Sequence, residues 1–183
     1  RTKSIRKVTL AKFVLEIFFA IMVIYVPIYL HSSIGFSWTE IGLMFTVMLL
    51  PFVILEWPAG WLADKFLGEK ELMIIGFLLM GTAVVAMPYL GNVFTVWLVV
   101  LLISRIGASL VEVTGETFFF KKIDGGDIRL ISIFRLARPF GLIVGSIIGA
   151  VTLNFVPFEN IFLVLGAVIF LGLKEALSLR DTK

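Results

Sequence analysis

The sequence predicts an all-α membrane protein with six transmembrane helices, and three observations carry that prediction. The 183 residues are 60% hydrophobic and only 16% charged, whereas soluble domains average about 45–50% apolar and about 25% charged. The apolar residues recur along the whole length in six segments, each long enough for the ~20 helical residues that cross a ~30 Å hydrocarbon core. The lysines and arginines outside those segments fall on one side only, in the leader, the tail and alternate loops.

The first helix is expected over about Thr9–Leu30, behind the basic leader RTKSIRK. Its apolar run is too long for a signal-peptide core and has no small-residue cleavage site. The turn HSSIGFS separates it from a second helix, about Trp38–Ala63. Ser37 is placed to cap that helix, with Glu40 completing a capping box. Pro51 and Pro58 predict bends within it, because proline removes a ladder donor and clashes with the preceding turn. The loop DKFLGEK leads to a third helix, about Glu71–Leu90, and PYLGN to a fourth, about Val93–Lys121. After KKIDGGD, Asp127 stands where a cap would start the fifth, about Ile128–Leu153, with a kink expected at Pro139. NFVP precedes the sixth, about Phe158–Leu177.

Of the sixteen Lys and Arg, Arg1, Lys3, Arg6, Lys7 and Lys12 belong to the leader and the start of the first helix. Lys65 and Lys70 lie in the second loop, Lys121, Lys122 and Arg129 around the fourth, and Lys174, Arg180 and Lys183 at the tail. The other three loops hold none, and Arg105, Arg135 and Arg138 are inside spans. Cytoplasmic loops carry the Lys/Arg excess, so both termini are expected in the cytoplasm and the protein in a plasma or bacterial inner membrane. The net charge of +3 therefore reads as topology, not as nucleic-acid binding. There is no cysteine and a single histidine, His31, which excludes a disulfide framework, thiolate chemistry and a His/Cys zinc site. No metal or cofactor is expected. No nucleophile motif is present either, so an enzyme built on Glu112 and Glu116 ranks low.

The functional signal is the stretch SRIGASLVEVTGETFFF in the fourth helix. Arg105, Ser109, Glu112 and Glu116 sit at i, i+4, i+7 and i+11 and share about 60° of one helix face. Ionisable groups inside a span face protein or a water-filled path and mark function by default. Arg105 has two readings, a cation for an anionic solute or a structural ion pair. Glu112 and Glu116 are one turn apart; two carboxylates that close in low dielectric resist joint ionisation, so one is a candidate proton carrier. The competing and preferred reading puts them in a salt-bridge network with Arg135, Arg138 or Lys65, and Glu56 among the same intramembrane charges. Glu16 either pairs with Lys12 or faces a cavity. Tyr25 either touches solute or sits at the membrane interface, and His31 is a solvated loop residue. On the fifth helix Arg138, Gly141, Gly145 and Gly149 share a face, and the glycines permit close approach of another backbone.

The junction EWPAGWLADKFLGEKE resembles the signature loop of the major facilitator superfamily, G-x-x-x-D-(R/K)-x-G-(R/K)-(R/K). Gly60, Asp64, Lys65, Gly68 and Lys70 fill its positions; one extra residue stands between Lys65 and Gly68, and Glu69 occupies a position normally basic. Arg105 matches the arginine of the family's fourth-helix R-x-x-x-G motif, with Ser109 at the glycine position and Gly107 two residues after the arginine. The fifth-helix antiporter motif is not met. The resemblance implies one half of a twelve-helix fold, built as two inverted three-helix repeats; the opening Arg, basic lead-in and short tail fit the C-terminal half. It implies a secondary transporter working by alternating access with a second six-helix half, in the same chain or as a homodimer. In that scheme the first and fourth helices line the cavity, the second and fifth face the other half, the third and sixth support them from outside, and Asp64 and Lys65 form a gate latch. The runner-up is a binding or structural subunit that acts only with a partner half. The solute depends on both halves and is not legible here.

Overall fold

The computed structural model describes residues 2–123 and 127–179, apart from the side chains of Thr2, Glu56, Asp64 and Phe66. The described chain is helical with no strand, and six of its stretches are long and apolar enough to cross a membrane. Helix α1 (Thr2–Tyr29) starts inside the basic leader rather than at Thr9. The reason is packing: Ile5 and Val8 are buried against the bundle, so the leader continues the helix's apolar stripe. A π-helical turn, Leu30–Ile34, closes the span at Gly35.

The second span is two helices, α2 (Trp38–Val47) and α3 (Leu50–Leu62), separated at Met48 and Leu49. The expected capping box is formed: the Ser37 hydroxyl accepts from the Glu40 N–H, and the Ser37 N–H donates to Glu40 Oε2 at 2.9 Å. The break lies just before Pro51, which has no N–H to offer the Val47 carbonyl one turn back. Pro58 and Pro139, by contrast, sit inside helices that run through them without interruption. The remaining helices are α4 (Glu69–Ala86), α5 (Phe94–Lys122), α6 (Ile128–Phe155) and α7 (Ile161–Leu177). Asp127 holds the N-cap position of α6 but makes no side-chain capping bond.

The packing repeats itself. The first span lies along the fifth as the fourth lies along the second (α1 on α6, α5 on α3). The third span packs on the fourth as the sixth packs on the first (α4 on α5, α7 on α1), and the third meets the sixth. Exchanging the two triplets of spans leaves this pattern unchanged, as two three-helix repeats require. The two ends of the bundle's chain meet on one side, where Lys7 Nζ donates to the Ser178 carbonyl at 2.6 Å. Phe18, Phe77, Trp97, Phe118 and Phe162 are fully buried in the core.

Two helix crossings bring backbones together. At α4–α5, a Cβ on Gly107 would lie 2.5 Å from the Gly76 carbonyl oxygen, and one on Gly76 would lie 2.7 Å from that of Gly107. At α1–α6, Gly141, Gly145 and Gly149 face α1; a Cβ on Gly145 would lie 2.7 Å from Ala20 Cβ. The outer faces of α3 and α6 remain uncovered and apolar: Val53 and Trp57 are 79% and 78% exposed, and Phe140, Ile143 and Ile147 are exposed as well.

The signature-like loop explains its own irregularity. After α3 the chain makes a π-helical turn, Ala63–Leu67, closed by Gly68 N–H on the Ala63 carbonyl five residues back at 3.0 Å. A π turn holds one residue more than an α turn, which absorbs the extra residue between Lys65 and Gly68. Gly68 has φ 90° and ψ 156°, a conformation open essentially to glycine alone. Gly68→Ala is expected to cost roughly 1–3 kcal/mol, read as a lowered thermal midpoint of the detergent-purified protein. An unchanged midpoint would show that the turn rearranges freely.

Candidate functional site

A cavity of about 670 Å³ lies between α1, α2, α3, α5 and α6. Phe19 and Val23 of α1, Phe45 and Phe52 flanking the α2–α3 break, and Leu142 of α6 give it apolar walls. Into it come four charged residues, Glu16, Arg105, Glu112 and Arg138, with Ser146 beside them. The helices that supply the charges are the first, fourth and fifth spans, and the break in the second span forms part of the wall. Glu112 also lines a second, smaller cavity with Ser109 and Glu116, against Phe52.

One lysine organises the carboxylates. Lys12 Nζ lies 3.1 Å from Glu112 Oε1, 3.2 Å from Glu116 Oε1 and 3.3 Å from Glu16 Oε1. An ammonium has three N–H donors, and here it faces three carboxylates at once. Lys12 and Glu16 are almost fully buried, and Glu116 is half exposed. The sequence pairs Lys12 with Glu16 as i, i+4 neighbours, but Glu112 and Glu116 stand 100 and 104 residues away, a juxtaposition that only the packing of α1 on α5 creates. The expected network is thereby corrected. Glu112 and Glu116 are held by Lys12, and Arg135 and Arg138 are exposed on α6 with no ion pair among the described residues. The Glu56 side chain lies outside the described residues.

Arg105 stands apart from that cluster. Seven residues before Glu112, it is about 10 Å away along the helix axis. Its side chain is 2% exposed and packs beneath Phe18 and Phe19, with ring centroids 5.3 and 5.5 Å from the guanidinium carbon. Its Nε and Nη2 have no hydrogen-bond partner, and no carboxylate among the described residues is within ion-pair reach.

The other sequence candidates fall out of the cavity's chemistry. The Ser109 hydroxyl donates to the Ile106 carbonyl at 3.1 Å and lines only the smaller cavity. Tyr25 is buried, and its hydroxyl donates to the Ser146 carbonyl at 2.7 Å, tying α1 to α6. His31 is exposed, stacked on Trp38 with centroids 4.4 Å apart, its Nδ1 2.9 Å from the Phe36 carbonyl. Around the loop, Lys65 Nζ lies over the Trp61 ring at 5.2 Å; Gly60 has open space beside it. The Asp64 side chain is not described, and Lys70 is half-buried in the first turn of α4. The acidic departure at Glu69 has a structural cause: this buried residue is in the first helical turn of α4, where the N–H dipoles favour an anion, and it is ion-paired with Lys121 at the end of α5. No group of side chains that could hold a metal ion occurs among the described residues.

Comparison with known proteins places this geometry. The family model described as Major Facilitator Superfamily matches residues 8–180. A probable sulfoacetate transporter, SauU, of Cupriavidus necator is 28% identical over 144 residues, 76% of this chain and 32% of its own length. The chain thus spans about a third of that curated relative. Among solved structures, the POT family transporter PepTSo superposes with a TM-score of 0.82 at 13% identity, over 98% of this chain and 38% of that one. A mutant peptide transporter POT in complex with alafosfalin follows with a TM-score of 0.76 at 20% identity, over 96% and 38%. At these identities the likeness to the two structures is one of fold.

Proposed function

This chain belongs to the major facilitator superfamily, and from that premise we propose that it works as one half of a secondary transporter, carrying a small solute by alternating access together with a second six-helix half. The observation that carries the reading is the position of the cavity. It lies between the uncovered apolar faces of α3 and α6 and holds buried charge, so the surface beside the site is the surface that lacks a cover. A second half docked there, from the same polypeptide or another copy, closes the cavity's open side. Lys7 of α1 meets the Ser178 carbonyl after α7 at one end of the bundle; we place that end, with the basic leader and loops, in the cytoplasm, with the Gly60–Lys70 loop as the latch between halves.

The cluster at Lys12 supports proton coupling. With every group ionised, three carboxylates against one ammonium leave an excess of two negative charges around a buried lysine, offset in part by Arg138 near Glu16, and taking up a proton relieves it. Glu16 and Glu112 both face the lysine and the main cavity, but Glu112 alone of the two also lines the smaller cavity and is 28% exposed against 2%, so it is the group through which solute and proton sense each other. The test is uptake by the intact transporter in proteoliposomes, with sulfoacetate, the solute named for the bacterial relative, as the first to try. An acid-outside pH gradient is expected to drive accumulation. Glu112→Gln is expected to abolish the accumulation and to leave solute exchange across the membrane intact. Uptake indifferent to the gradient would remove the coupling.

A further inference from the structure

We propose that the Nε–Nη2 edge of Arg105 binds an oxyanion group of the transported solute, a carboxylate, sulfonate or phosphonate, and so makes the substrate class an organic anion. The proposal rests on the transport reading for the word substrate, but not for the site itself.

Three observations converge on it. The guanidinium is permanently charged, and at 2% exposure it is buried with Nε and Nη2 unpartnered. A buried, unpaired cation is among the most unfavourable arrangements a membrane bundle can hold, so a counter-charge must complete it in some state of the protein. The cluster next door does not supply one. All three of its carboxylates point an oxygen at Lys12.

Next is the shape of what is missing. Nε–H and the adjacent Nη2–H project side by side from one edge of a planar guanidinium, and two such parallel donors match two oxygens of one anionic group in a bidentate pair. A hydroxyl or an amide carbonyl offers one acceptor and fits half of that fork. The ring of Phe19, which also lines the cavity, lies against the guanidinium carbon and restrains its swing. Arg138 lines the same cavity, close enough for its charge to act on Glu16 but with no ion pair among the described residues, and it adds a second positive charge to the cavity wall. Glu16 and Glu112 line the cavity too, but each is held by Lys12; the remaining walls are apolar apart from Thr46 and Ser146, which suits an uncharged body behind the anionic group.

The experiment measures binding without any gradient: thermal stabilisation of the intact, detergent-purified transporter by succinate, methanesulfonate and phenylphosphonate, with succinamide as neutral comparator and putrescine as cation, each up to millimolar concentration. Anions are expected to stabilise and the comparators to do nothing. Arg105→Gln is expected to weaken the anion response about hundredfold or more. Arg105→Lys keeps the charge but loses the fork and is expected to weaken it about tenfold; it also carries the test should the glutamine variant fail to fold. Equal stabilisation by succinamide, no response to any anion, or an anion response unchanged in Arg105→Lys would each overturn the proposal. The last of these is also the result expected if a carboxylate of the second half is what neutralises Arg105. Arg105-dependent anion binding without vesicle uptake would keep this site and remove the transport reading. Uptake of a neutral solute without an anion response would do the reverse.

Discussion

Lys12→Met is expected to destabilise the protein by about 3 kcal/mol, the lower end of what removing one partner of a buried ion pair costs. The substitution keeps the hydrocarbon stem and deletes only the ammonium that faces Glu16, Glu112 and Glu116. The value is set low because Glu116 is half exposed and Glu112 is 28% exposed, so water relieves part of the uncovered charge. Glu16, at 2% exposure, has no such relief. Adding Glu16→Gln to Lys12→Met is therefore expected to recover roughly half of the loss, a coupling of the size seen between residues in contact. Thermal or denaturant unfolding of the purified protein measures both. A Lys12→Met protein as stable as the parent would mean that the three carboxylates do not depend on this lysine.

The second large effect is expected at the α4–α5 crossing. Gly107→Ala should cost about 2–3 kcal/mol, toward the upper end for overpacking, and Gly107→Leu should leave no folded protein to purify. A Cβ there meets the Gly76 carbonyl oxygen at 2.5 Å and the Met80 nitrogen at 2.8 Å, and backbone atoms do not move aside as a side chain does. Gly60→Ala is the control, since nothing lies within 4 Å of a Cβ at Gly60 and the residue is inside α3; its stability is expected to equal the parent's or exceed it by up to about 1 kcal/mol, the helix preference for alanine over glycine. Equal losses at Gly60 and Gly107 would show that generic glycine effects, not the crossing, are being measured.

The polar stripe of the fourth helix was legible because it obeys a local rule. Helical spacing puts Arg105, Ser109, Glu112 and Glu116 on one side, and oil excludes them from the other. The same rule could not say how the stripe divides. Arg105 and Glu112 reach the main cavity, while Ser109 and Glu116 reach only the smaller one, since a face about 60° wide spans the boundary between two neighbours. Lys12 was visible as the end of a basic leader and as a partner for Glu16, but not as the partner of Glu112 and Glu116, because those residues on α5 are about a hundred positions away and nothing local links them. Gly76 and Gly107 were likewise lone glycines in apolar runs until the third and fourth spans were set side by side. Beside them, the glycines of α6 announced themselves through their regular spacing, and α1 is what they meet. The extra residue after Lys65 was readable as a departure from a pattern, but its remedy, a π-helical turn, depends on Gly68 taking φ 90°.

The two glycine crossings also bear on how the protein moves. Where one main chain rests directly on another, there is no layer of flexible side chains to shear, and sliding by even a fraction of an ångström produces a collision. Such joints at α4–α5 and α1–α6 bolt members of both triplets together, so in the alternating-access cycle proposed above these six spans are expected to travel as a single lever arm. Spin labels placed on α1 and α6 should therefore keep one fixed separation through a transport cycle, and the stroke should register only between this unit and its counterpart.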